Sequence, residues 1–168
     1  MSVELKLFVY GTLKKGFSNH ARHCRGVLRI EQARLTGKLF KLTPEVPILV
    51  VPESAIFARG SSDVGADMRL QDEVRAARGH DDVKPGAAWK TIRGELLVFN
   101  DPEKRLPSLD RLEEFRPGWP STYNRVLVRT TRHDDCRCFA WTYVAGIDTD
   151  GLEPYEEETW FPEALGNA

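Results

Sequence analysis

A chain of 168 residues with 24 basic and 25 acidic side chains carries a formal net charge of −1. That length favours one domain and suffices to bury a core without disulfides or a metal, and so even a balance gives nucleic acid or an anionic membrane no electrostatic hold. No apolar run approaches the ~18 residues of a spanning helix, Met1-Ser2-Val3-Glu4 does not open a signal peptide, and Cys24, Cys136 and Cys138 are too few for a secreted disulfide framework; the expected compartment is the cytoplasm, with no membrane or nucleic-acid partner.

Leu5 to Val9 is apolar and β-branched enough for a strand. It runs into Tyr10-Gly11-Thr12-Leu13-Lys14-Lys15-Gly16, where two glycines predict a loop. Ser18 or Asn19 is placed to cap a short helix through Cys24 that stops at Gly26. Val27 to Leu42 reads as a strand with Gly37 as a bend or bulge, and Ile48 to Val51 as a short buried strand. Residues 52–88 are loop-rich, with one helix predicted from Asp67 to Arg78 on a face of Leu70, Val74 and Ala77. They carry too few apolar residues for a core of their own. We therefore expect a single domain over 1–168 with an inserted excursion at 52–88 that forms a mobile or lid-like flap.

Trp89 to Phe99 reads as a strand with Gly94 inside it, and Leu106 to Phe115 as a helix opened by Pro107 and closed before Pro117-Gly118. Tyr123 to Thr131 and Cys136 to Val144 alternate as two strands joined by His133-Asp134-Asp135, a hairpin pattern. Trp160 and Phe161 are placed to dock an acidic tail. Strands outnumber short helices, so the predicted class is α+β around a curved sheet or barrel.

Two features carry chemistry. At ~100° per residue, Leu106, Leu109, Leu112 and Phe115 share one helix stripe. Glu113 falls on its flank, with Asp110 and Glu114 nearly opposite. An inward carboxylate loses hydration and its pKa rises, as a group exchanging protons near neutral pH requires; the structural alternative is an edge-of-core glutamate paired with Arg125 or Arg129. The second feature is the strand ending in Tyr-Gly-Thr-Leu, which aims backbone N–H groups into one concavity suited to a carboxylate or an oxyanion. Gly16 is followed by Phe17-Ser18, so the loop is not a P-loop.

Phe8-Val9-Tyr10-Gly11-Thr12-Leu13-Lys14-Lys15-Gly16, with Asn19-His20 just after, resembles the opening signature of the γ-glutamylcyclotransferase-like (AIG2-like) family, nearest in motif to its γ-glutamylamine cyclotransferase branch. Gly94-Glu95-Leu96, Leu109-Asp110-Arg111-Leu112-Glu113 and Tyr123-x-Arg125 follow in the family's order. The resemblance implies a mixed β-barrel with a few short flanking helices and a cavity at one end. It implies an enzyme in which the α-amino group of a γ-glutamyl unit attacks its own γ-carbonyl, giving 5-oxoproline and a released amine with no cofactor and no metal. Carried over by position, Glu113 is the general base and acid. Tyr10, Gly11, Thr12 and Leu13 hold the substrate's carboxylate end, and Asn19, Tyr123 and Arg125 join the substrate site. Two departures stand out: many relatives place Gly after the catalytic Glu, where this chain has Glu114, and residues 115–122 lengthen the gap before Tyr-x-Arg.

The remaining constellations read as structural. Cys136 and Cys138 share a strand face with His133 nearby, but a fourth metal ligand is not evident, so buried small residues are expected. His20 and Cys24, four apart, have no third orienting group for nucleophilic catalysis, which leaves a structural hydrogen bond. Tyr143 is a candidate cavity-lining hydroxyl. A non-catalytic module holding a small metabolite on the same fold is the alternative function.

Overall fold

The computed structural model describes residues 3–76 and 88–162. Its strands are β1 (Leu5–Val9), β2 (Arg29–Thr43), β3 (Val46–Val50), β4 (Ala58–Arg59), β5 (Lys90–Phe99), β6 (Tyr123–Arg132), β7 (Arg137–Ala145) and β8 (Glu153–Tyr155). Its helices are α1 (Ser18–His23), α2 (Val64–Ala76) and α3 (Pro102–Leu112). The order β2-β5-β1-β7-β6 closes into a five-stranded barrel because β6 returns to β2 at Ala33↔Arg132 and Arg34↔Thr131. Among the described barrel strands β1 and β7 run parallel, and the other neighbouring pairs are antiparallel. The far half of β2 leaves the barrel to pair with β3 and β8, and β4 adds to β6. This is the α+β mixed barrel that the sequence predicts.

Period-two alternation builds two cores from the same strands. Leu5, Leu7 and Val9 turn toward the helices, where they meet Leu97, Phe99, Met68, Leu106 and Leu109. Phe8 and Tyr10 turn the other way, to Leu35, Leu96, Val126, Val128 and Ala140. Each fully buried Leu or Phe contributes about 1.5–3 kcal/mol. Gly94 lets β1 and β5 close at the rim: a Cβ there would stand 2.3 Å from the Val9 carbonyl and 2.8 Å from the Phe8 ring. Trp160, fully buried, plugs the second core, so half of the expected tail docking holds, while Phe161 stays 64% exposed.

Several local expectations are corrected. Phe17, not Ser18 or Asn19, stands at the N-cap of α1, and no side chain caps it. The β2 irregularity falls between Lys41 and Thr43, not at Gly37. Among the described side chains of α2 the buried positions are Val64, Asp67, Met68 and Gln71, an i, i+3, i+4, i+7 stripe; of the expected face Val74 packs against the core, Leu70 lies off the stripe, and Ala77 and Arg78 lie outside the described residues. Of the expected 52–88 excursion, residues 77–87 lie outside the described residues; in the described part Val64 and Met68 join the core, and Gln71 bonds Glu4 and Lys6 backbone at 2.8 and 3.1 Å, so α2 packs down on the barrel. α3 begins a turn earlier than expected, with Pro102 after Asp101, because the Asp101 carbonyl accepts from Lys104 and Arg105 and proline needs no partner there. Pro107 lies inside the helix. Cys136 is exposed and Cys138 half-buried, so the two are not a buried pair.

Candidate active site at the barrel rim

The Tyr10–Lys15 loop leaves β1 between the barrel and β3. The Tyr10 hydroxyl anchors it, donating to the Tyr143 carbonyl at 2.8 Å and accepting from Leu49 N–H at 3.2 Å. α1 clamps the loop from outside: Asn19 Nδ2 donates to Thr12 Oγ1 at 2.9 Å, and His20 Nδ1 meets the Leu13 carbonyl at 2.7 Å. The bond to Thr12, not helix capping, occupies the Asn19 side chain. A Cβ on Gly11 would lie 2.7 Å from the Pro47 ring, so only glycine lets the loop sit against β3. Among the described residues the N–H groups of Gly11, Thr12 and Leu13 donate to no protein acceptor.

Gly11, Thr12 and Leu13 line a small cavity, open to solvent, whose other walls are Val46 and Pro47, Tyr123 and Tyr143, and Glu113. Glu113 reaches it through the C-terminal turn of α3, where its N–H donates to the Leu109 carbonyl at 2.9 Å. Glu114 follows in the left-handed region at φ 54°, which reverses the chain and sends its carboxylate out to the Thr122 hydroxyl at 3.1 Å. Burial pushes the Glu113 pKa up to about 7, and among the described residues no cation pairs with it. The arginine-paired alternative thus fails. Burial likewise raises the pKa of the Tyr10, Tyr123 and Tyr143 phenols. Their protons point elsewhere, Tyr123 to the Pro47 carbonyl at 2.7 Å and Tyr143 to Asp110 Oδ1 at 2.6 Å. The described lining thus offers one carboxylate, three free amides and no cation.

Asp110 is not opposite Glu113 but on the same side, as i and i+3 residues are on a helix. It accepts from Tyr143 and from Arg125 Nε at 2.9 Å and Nη2 at 3.1 Å. Arg125, fully buried, also donates to Asp67 at 2.8 Å and to the Ser61 carbonyl at 3.0 Å. Four of its five N–H groups are taken by protein, and Arg125 is not among the cavity's lining residues, so it braces the wall behind the cavity. Asn19 likewise stands behind Thr12. Tyr10, Gly11, Thr12, Leu13, Tyr123 and Glu113 do converge. Sequence reading missed Val46, Pro47 and the Asp67–Arg125–Asp110 bracket; the i, i+3 spacing of Asp110 and Glu113 was the available signal for the last. Cys24 is buried and its thiol is pushed up to about 11, which leaves it no nucleophilic role beside His20.

These features define a class: small mixed barrels that set one desolvated carboxylate against a glycine loop at the rim. The family model for gamma-glutamyl cyclotransferase, AIG2-like, matches residues 7–64 and 65–162, and the chain belongs to that family. Its fold is shared with an AIG2-like protein of Mus musculus (TM-score 0.52, 19% identity, 96% of this chain and 91% of that one). It is shared with an Arabidopsis thaliana protein (0.53, 20%, 92% and 78%). YkqA from Bacillus subtilis is similar too (0.55, 22%, 94% of this chain); the chain spans only 39% of that protein. No curated protein matches the sequence.

Proposed function

We propose that the chain is a γ-glutamyl cyclotransferase that closes a γ-glutamyl group to 5-oxoproline and releases an amine, with Glu113 as general base and acid. The observation that carries this reading is a glutamate whose pKa burial pushes up to about 7, with no cation paired to it among the described residues, lining one cavity with Gly11, Thr12 and Leu13, whose N–H groups have no protein acceptor there. The amides of Gly11, Thr12 and Leu13 hold the anionic end of the substrate. Glu113 takes a proton from the substrate's α-ammonium, and the freed amine attacks the γ-carbonyl. Both reacting groups belong to one molecule, so ring closure needs orientation rather than encounter. The tetrahedral intermediate collapses as Glu113 returns the proton to the leaving nitrogen, and the second proton that the ring nitrogen must shed ends on the released amine, which departs as an ammonium. The tyrosines supply a dry wall that keeps the carboxylate weakly hydrated. We place the activity in the cytoplasm, on a small soluble substrate.

The test is release of 5-oxoproline from a panel of γ-glutamyl amino acids and γ-glutamyl amines by wild type and Glu113→Gln. Turnover by wild type, with a loss of about 10²-fold or more in a folded Glu113→Gln, is expected. Undiminished turnover in the variant overturns the assignment. Tight binding of the panel without turnover by wild type favours the non-catalytic reading.

A further inference from the structure

A second cavity, open to solvent, lies between Lys14, Lys15 and Phe17, the β5 residues Arg93 to Glu95, Gln32 on β2, and Thr159 and Phe161 of the tail. Two of its charged residues are buried, Lys14 at 7% exposure and Glu95 at 9%. They do not pair with each other. Lys14 Nζ makes one hydrogen bond, to the Trp160 carbonyl at 2.9 Å, and stands 5.7 and 5.2 Å from the Phe17 and Phe161 ring centres. Glu95 accepts from Lys15 N–H at 2.6 Å through Oε1, and among the described residues Oε2 accepts from none. Arg93 is already bound, to Glu158 at 2.7 Å.

Lys14 keeps ammonium protons, and Glu95 a carboxylate oxygen, that no protein partner takes among the described residues, and both side chains line one cavity open to solvent. A ligand with a single charge finds a partner in one of them and a like charge in the other. A molecule carrying both charges finds a partner for each. Burial already presses the Lys14 ammonium toward its neutral form, an effect that an anion beside it would reverse. We propose that this cavity binds a small zwitterionic α-amino acid, its ammonium on Glu95, its carboxylate on Lys14, and an apolar side chain between Phe17 and Phe161. The inference does not depend on the reaction proposed for Glu113.

The experiment is calorimetric titration of the full chain with L-phenylalanine and L-leucine, beside L-phenylalaninamide, which lacks the carboxylate, and N-acetyl-L-phenylalanine, which lacks the ammonium. The free amino acids are expected to bind, and both single-charge analogues to bind at least about tenfold more weakly. Glu95→Gln, which keeps an oxygen for Lys15, and Lys14→Met, which keeps the apolar stem, are expected to lose that binding. Glu113→Gln is expected to keep it. No binding by either amino acid up to about 10 mM overturns the proposal. So does binding that the two single-charge analogues match, or that Glu113→Gln abolishes while Glu95→Gln retains it. The analogue comparison needs only wild type, so a variant that fails to fold does not blunt the test.

Discussion

Glu113 ties stability to function. Its native pKa is raised from 4.5 to about 7 by burial, so between those values the folded chain binds more protons than the unfolded one. Stability therefore falls as pH rises through that window, and above about pH 7 the cost is complete, on the order of 3 kcal/mol at most. Glu113→Gln removes it: urea denaturation at pH 8 is expected to show a more stable variant, with the gain vanishing near pH 4. Equal stability of the two proteins at both pH values would contradict the burial argument. The same group sets a rate profile, since the base must be ionised in the free enzyme: kcat/KM is expected to rise through about pH 7. Glu114, at φ 54°, occupies a conformation that costs a non-glycine residue about 1 kcal/mol. Glycine there relieves that strain while loosening the unfolded chain by a similar amount. Glu114→Gly is thus expected to leave the melting temperature and turnover nearly unchanged, whereas a β-branched Glu114→Val lowers the melting temperature.

Among the elements, α2 and α3 meet the barrel through one buried cation. Arg125 on β6 bridges Asp67 of α2 and Asp110 of α3, and Asp110 in turn holds the Tyr143 hydroxyl. Removing the cation strands two acids in the interior, Asp67 being 1% exposed. Arg125→Met is expected to destabilise the fold by about 3–5 kcal/mol in chemical denaturation. Asp67→Ala, which leaves Arg125 its second acid, is expected to cost less; the reverse ranking would mean that Asp110 does not hold the guanidinium. These contacts also explain why the 52–76 segment packs down although its composition suggests a loop: α2 contributes few apolar side chains, but Asp67 and Gln71 give it buried polar anchors that a hydrophobicity count does not see.

At the scale of the whole molecule, the barrel is closed by a short seam and a plug. β2 and β6 share two residue pairs, and Arg132 reinforces the seam with Glu31 at 3.0 Å. The tail runs beside β5, where Arg93 N–H bonds the Glu158 carbonyl at 2.8 Å, and then inserts Trp160. Trp160→Ala is expected to cost about 3–5 kcal/mol, the ordinary range for an emptied aromatic site. A cost under 1 kcal/mol, measured by urea denaturation, would show that the barrel does not rest on its plug. The Trp160 backbone also receives Lys14, so the tail and the Tyr10–Lys15 loop are one mechanical unit.

Strand periodicity, the Tyr-Gly-Thr-Leu loop and the placement of Glu113 on the flank of an apolar helix were legible from residue order alone, because alternation and helical phase are local properties. β1 was read to the residue, and the β6–β7 hairpin nearly so. What local order could not reveal was partnership. Whether Arg125 faces a ligand or two aspartates depends on α2 arriving from 58 residues away. Whether Glu113 is paired or solitary depends on which acids Arg125 has already taken. Desolvation, and with it a glutamate pKa of about 7, comes from walls supplied by β1, β3, β6 and β7 together, and no segment of the chain carries that environment by itself.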